Sequence, residues 1–215
     1  MVLIIGHRGC AYEQENTIKT FKRALDLKVD MIEFDIWQCK SGEIVVFHDD
    51  NLKRLHGINK KIKNINYSEL KKLNIPLLKD VLNLVKGKVK VNIELKDEVS
   101  ENLSAIINKY LQKGWQEKDF LISAFDYDEI KKFHALMPKI PIGLLPEGLT
   151  FKKQIDELSP YSIHLSKDKI SKKLVETLHQ KGLKVFVYII NSDFKKIIDL
   201  GIDGIFSDYP DKIPR

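Results

Sequence analysis

Three carboxylates and two histidines in this sequence are spaced so that they could act together. Glu33 and Asp35 stand two apart in the β-rich run Ile32-Glu33-Phe34-Asp35-Ile36. On a strand that spacing puts both side chains on one face, where like charges repel unless a cation sits between them. Glu94 closes another apolar run, at residues 89–95, and adds a third carboxylate. Three carboxylates form an all-oxygen donor set suited to one divalent cation, Mg2+ or Ca2+ with Mn2+ as a further option, rather than zinc. Salt bridges to surface lysines are the plainer use of the same residues. His7 closes the run at residues 2–6, and His48 follows Ile44-Val45-Val46-Phe47. Imidazoles near a metal are natural acid and base partners around neutral pH, whereas a lone histidine at the position of His48 is more often structural. Arg8 and Lys96 add positive charge beside the same positions; arginine can grip a phosphate through two N–H groups, and lysine acts as a point charge. Together these groups describe metal-assisted phosphoester chemistry better than acyl transfer. Neither a glycine-rich phosphate loop nor a G-x-S-x-G elbow occurs. Phe125 and Tyr188 are candidates for substrate contact, with ordinary packing as the alternative.

These residues can meet only if the elements carrying them end in one place. Eight apolar runs suited to buried parallel strands lie at residues 2–6, 31–36, 89–95, 120–123, 142–145, 162–165, 185–189 and 204–206. Stretches with three- or four-residue apolar spacing separate them at 17–27, 103–111, 130–137, 174–178 and 194–200. Pro138, Gly182 and Gly201 punctuate helix ends. Strands alternating with helices predict an α/β fold, a single-domain (β/α)8 TIM barrel over residues 1–215. That length is near the lower end of the roughly 200 to 400 residues usual for the fold. Few residues follow the eighth strand, so the last helix must be short or absent. The stretch 51–76 is longer than an ordinary connection and too short for a cap domain. Active sites of such barrels lie at the C-terminal strand ends, where His7, Arg8, Glu94 and Lys96 fall.

His48 reaches that end if the chain turns back at Ser41-Gly42. A two-residue loop there pairs Asp35 with His48 on one face. A three-residue loop with Gly42 in the left-handed conformation shifts the pairing by one and sets Phe34 opposite His48, unless a bulge restores the alternation. The chemistry favours the first register.

Composition excludes several classes. The 215 residues are 43% hydrophobic and 31% charged, which is globular usage. No apolar run approaches the ~18–20 residues of a transmembrane helix, so no integral membrane contact is expected. The apolar start, residues 1–5, is too short for a signal h-region of roughly 7–15 residues and reads as the first strand of a cytoplasmic protein. The net charge of +6 comes from scattered basic residues, a solvated surface with a mild pull on anions; no basic helix with interleaved aromatics points to nucleic acid. Cys10 and Cys39 are the only cysteines, too few for a disulfide framework. His56, His134, His164 and His179 read as structural or surface residues.

The ordered set of short motifs resembles the glycerophosphodiester phosphodiesterase family nearly end to end. It comprises His7-Arg8-Gly9, Glu15-Asn16-Thr17, Glu33-Phe34-Asp35, His48-Asp49, Ile75-Pro76-Leu77, Asn92-Ile93-Glu94-Leu95-Lys96, Ser123-Ala124-Phe125-Asp126 and a closing run from Gly201 through Ser207-Asp208-Tyr209-Pro210. The resemblance implies hydrolysis of a small-molecule glycerophosphodiester to sn-glycerol 3-phosphate and an alcohol. It implies His7 and His48 as the acid–base pair and Glu33, Asp35 and Glu94 as divalent-metal ligands. Arg8 and Lys96 would hold the phosphate, and Glu15 would support the site. Three features depart from the family pattern: Gln14 replaces a usual proline, Tyr188 a usual tryptophan, and the inserted segment is short. Lysophospholipase D-like hydrolysis at the same site, or a non-catalytic barrel binding a phosphate ligand, are the rival readings.

Overall fold

Alternating side-chain direction along short apolar runs is the simplest rule this chain obeys. The computed structural model describes residues 2–148 and 151–215; Met1, the first residue of the apolar start, lies outside them. The strands are β1 (Leu3–Gly6), β2 (Met31–Gln38), β3 (Ile44–Val46), β4 (Lys90–Leu95), β5 (Phe120–Ala124), β6 (Ile142–Leu144), β7 (Ser162–Ser166), β8 (Lys184–Tyr188) and β9 (Gly204–Ser207). Eight of them, all but β3, pair in parallel in the order β1-β9-β8-β7-β6-β5-β4-β2, and β2 pairs with β1 to close the barrel. These are the eight runs expected. Helices Ile18–Asp26, Ser100–Leu111, Tyr127–Leu136, Lys172–Gln180 and Phe194–Ile198 match the expected ones; Leu78–Val85, Lys152–Leu158 and the one-turn helices Lys53–His56 and Tyr67–Leu70 are additional. After β9 the chain makes only a 3-10 turn, Pro210–Lys212, in line with the expected short or absent last helix. Among the described residues no helix is long and apolar enough to cross a membrane.

Outward-facing Ile32, Phe34 and Ile36 of β2 join the large core between strands and helices, with Phe21, Leu82 and Leu103. Inside the barrel, Ile5, Met31, Leu121, Phe186 and Phe206 form an apolar plug. The inward-facing positions above it turn polar. Thus β2 presents Met31 to the plug and then Glu33 and Asp35 to the cavity above.

His164 of β7 sits at this boundary. It is buried, stacked on Phe186 at 5.2 Å between ring centroids, and 2.9 Å from Ser162 Oγ. A β-carbon on Gly143 of β6 would come within 2.5 Å of His164 Nε2, so the missing side chain there makes room for the ring. Burial depresses the His164 pKa to about 3, against about 6.5 for an exposed histidine. The folded pKa is below the unfolded one, so the neutral ring's contribution is complete above about pH 6.5 and is lost as pH falls toward 3. Between pH 7 and 4.5 the His164→Gln variant should lose less unfolding free energy than the wild type, by roughly 2 kcal/mol, in urea titrations. Parallel losses in the two proteins would show that the ring is not held neutral.

The hairpin departs from the favoured register. Ile36 faces Val46, Trp37 faces Val45 and Gln38 faces Ile44. Cys39 donates its N–H to Glu43 O at 3.0 Å, Gly42 donates to Cys39 O at 2.9 Å, and Gly42 has φ 92°. This is the three-residue loop with a left-handed glycine, not the two-residue loop at Ser41-Gly42 that the site chemistry favoured. A single φ decides it, and chemistry at the far end of the hairpin has no leverage on that angle. The segment beyond β3 packs a small core of its own, in which Leu52, Ile62, Ile65, Leu70 and Ile75 cover Val45 and Phe47.

Candidate active site

The parallel register places the acidic side chains. Glu33 pairs with Asn92 and Asp35 with Glu94 across β2 and β4, so alternation aims all four inward at neighbouring heights. Carboxylate oxygens of Glu33, Asp35 and Glu94 lie within 4.8 Å of one another, and all three residues are buried. Buried charge at this density needs counter-charge or a bound cation. Lys96 Nζ stands 3.2 Å from Asp35 Oδ1 and pairs with Glu94. Arg8 Nε stands 3.5 Å from Asp35 Oδ2, and the buried Asn16 amide donates to the same oxygen at 3.0 Å. Both Arg8 and Asn16 have positive φ, 48° and 57°. In that strained conformation the Arg8 backbone N–H meets Glu33 Oε2 at 2.8 Å.

Two cationic side chains do not neutralise the cluster evenly. Burial, with Asp35 and Glu94 alongside, pushes the Glu33 carboxyl well up. Glu94 is pushed up to about 7 by burial and then by the Asp35 charge. Burial also acts to raise Asp35, but Lys96, Arg8 and His48 outweigh it and hold that carboxyl below its ordinary range. Burial alone would lower Lys96; Asp35 and Glu94 outweigh it and keep the ammonium protonated. Three converging oxygen donors that resist simultaneous ionisation are a set that a hard divalent cation fits.

Each histidine is backed by a carboxylate. His7 follows β1, and its Nδ1 is 2.7 Å from Oδ1 of Asp208, which follows β9. Asn191 Nδ2 donates to the other Asp208 oxygen at 2.7 Å. His48 lies in the bend after β3, its Nδ1 2.6 Å from Asp49 Oδ1. A carboxylate only accepts, so the hydrogen in each pair sits on Nδ1 and Nε2 remains for other partners. His7 and His48 both line the cavity that holds the carboxylate cluster. His48 gets there although its register would set it opposite Phe34. Pairing stops at Val46, Phe47 N donates to Asp35 O at 3.0 Å, and the chain then bends out of the ladder. Burial pushes the His48 imidazole down, more strongly than Asp35 and Asp49 push it up.

All the residues singled out from sequence except Glu15 line this one cavity. Phe125 and Tyr188 form an edge-to-face pair at 6.2 Å, with Lys96 Nζ 5.6 Å from the Phe125 ring. Glu15 lies behind, bonded to Arg8 Nη1 at 3.1 Å. Sequence reasoning gave no role to Asp49, Asp208, Asn16, Asn191 or Arg54. Asp208 closes the eighth barrel strand just as Lys96 follows the third, so the strand-end rule could have found it. Arg54 carries no local signal.

The sequence matches the profile of the Glycerophosphoryl diester phosphodiesterase family over residues 7–212. The chain is 32% identical to a glycerophosphodiester phosphodiesterase of Caldanaerobacter subterraneus subsp. tengcongensis, covering 98% of this chain and 96% of that one. Among solved structures, the glycerophosphodiester phosphodiesterase of Thermotoga maritima superimposes with a TM-score of 0.85 at 29% identity, covering 98% of this chain and 96% of that chain. A phosphodiesterase of Oleispira antarctica in complex with the product sn-glycerol-3-phosphate superimposes with a TM-score of 0.87 at 25% identity, covering 98% and 94% respectively. With the profile spanning the strand ends that carry both histidines and all three carboxylates, the chain belongs to the glycerophosphoryl diester phosphodiesterase family and is a phosphoric diester hydrolase.

Proposed function

We propose that the protein hydrolyses glycerophosphodiesters to sn-glycerol 3-phosphate and an alcohol, with a divalent cation held by Glu33, Asp35 and Glu94. One observation carries this reading: two histidines, each hydrogen-bonded to a carboxylate, face the cavity that contains the carboxylate cluster. Bound there, a cation such as Mg2+ or Ca2+ supplies Lewis-acid polarisation of the phosphoryl oxygens.

The chain's own groups do the rest. Arg8 and Lys96 hold the non-bridging oxygens and orient the phosphorus between the histidines. Nε2 of one histidine takes the proton of the nucleophile, which is water or the substrate's own neighbouring hydroxyl. Nε2 of the other protonates the oxygen of the departing alcohol. Where the hydroxyl attacks, the first product is a cyclic phosphodiester, which water then opens to glycerol 3-phosphate with the two histidines exchanging roles. Asp49 and Asp208 keep the Nδ1 hydrogens in place and favour whichever ring becomes cationic during turnover. Phe125 and Tyr188 offer flat apolar faces at the rim for the glycerol or alcohol carbons.

The test is release of glycerol 3-phosphate from a panel of glycerophosphodiesters, with release of the head-group alcohol from lysophospholipids measured in parallel. Glycerophosphodiesters should be turned over with Mg2+, Ca2+ or Mn2+ present. Turnover of lysophospholipids alone would move the assignment to a lysophospholipase D-like activity. Binding of glycerol 3-phosphate without turnover of any diester would leave a phosphate-ligand-binding barrel.

A further inference from the structure

Arg54 lies in the short helix Lys53–His56 beyond β3. It donates from Nε to Asp49 Oδ2 at 2.7 Å and from Nη2 to Asp49 Oδ1 at 3.1 Å. On its other side Nη1 donates to Glu15 Oε2 at 2.9 Å and Nη2 to Glu15 Oε1 at 2.5 Å. Four of the five guanidinium N–H groups therefore meet carboxylates. Too little donor capacity is left to grip a phosphate, so substrate binding is not its use. What lies beyond each carboxylate is informative. Asp49 holds Nδ1 of His48, and Glu15 holds Arg8. The chain Arg8, Glu15, Arg54, Asp49, His48 thus ties the loop after β1 to the bend after β3. Without Arg54, two carboxylates would face each other with no counter-charge between them, and Asp49 would be free to swing away from the imidazole.

The contribution to folding is small by the same geometry. The Arg54 side chain is 44% exposed, and ion pairs at such exposure are largely screened. A network that stabilises little yet ends on a cavity-lining imidazole acts on orientation. We propose that Arg54 is a positioning residue: by clamping Asp49 against Glu15 it fixes the His48 ring with Nε2 toward the cavity. The proposal rests on the acid–base reading of His48 given above.

A kinetic cycle on the full chain tests it, using a glycerophosphodiester with an alkoxide leaving group. The Arg54→Ala variant should lose about 10- to 100-fold in kcat, the cost of a misplaced catalytic group, with a Tm within a few degrees of wild type. Arg54→Lys should recover only part of the loss, because an ammonium lacks the fork that spans two carboxylates. In a His48→Ala background, Arg54→Ala should cost less than about threefold more in kcat, since no ring remains to be oriented. Wild-type kcat in Arg54→Ala overturns the proposal, and so does the same fold-loss in both backgrounds. Should Arg54→Ala fail to fold, Arg54→Gln takes its place in the cycle. Failure of the underlying reading is distinct, because His48→Ala alone would then keep wild-type kcat.

Discussion

Replacing either His7 or His48 with alanine is expected to lower kcat on an alkoxide-leaving substrate by roughly 10²–10⁴-fold, the usual worth of one positioned acid or base. Both rings line the cavity, and both have Nδ1 committed to a carboxylate, at 2.7 Å for His7 and 2.6 Å for His48. Neither can take over the other's task, because each is anchored on its own strand end. The variants should differ in one respect. A nitrophenolate leaving group departs without protonation, so it should restore much of the rate to the variant that has lost the general acid. The variant that has lost the general base should remain slow. Steady-state kinetics on a paired series, one alkyl and one nitrophenyl diester, read this directly. Wild-type rates in both alanine variants would remove the assignment.

Removal of the divalent cation should be as severe. Glu33, Asp35 and Glu94 converge in a buried site where burial and mutual repulsion push two of them up. Chelated protein should lose essentially all turnover and regain it on addition of Mg2+, Ca2+ or Mn2+. Because a cation binds only the folded site, saturation at about 100 times Kd should add about 2.7 kcal/mol of stability. That corresponds to roughly 5–10 °C in Tm for a domain of this size. Binding should release protons and weaken as pH falls, since the cation must displace protons that Glu33 and Glu94 retain. The Asp35→Ala variant should lose both the activity and the thermal shift, with the folded barrel intact by circular dichroism. Full activity in chelator would refute the metal role, and an unchanged shift in Asp35→Ala would take that residue out of the ligand set.

Much of the site was legible because a strand reports its own geometry. Glu33 and Asp35 share a face whatever the strand packs against, and the strand-end rule for barrels drew attention to His7, Arg8 and Lys96. Two helices, Leu78–Val85 and Lys152–Leu158, gave no equally clear period. His48 shows where local rules stop. The favoured hairpin register was wrong by one residue, because Gly42 takes φ 92° and closes a three-residue loop. The imidazole still reaches the cavity, because the chain leaves the ladder after Val46 instead of continuing it.

The sequence by itself determined the positions of the eight barrel strands, the shared face of the acidic pair, and the residue types at the strand ends. These depend on periodicity and burial, which act between near neighbours in the chain. Only the tertiary structure decided which carboxylate serves which histidine, and that Arg54 links them. Asp208 is 201 residues from His7 and meets it because β9 closes the barrel against β1. Arg54 is 39 residues from Glu15 and meets it because the segment beyond β3 folds back on its own small core. Contacts at such separations follow from barrel closure and from the packing of that small core, and no local pattern of residue types encodes either.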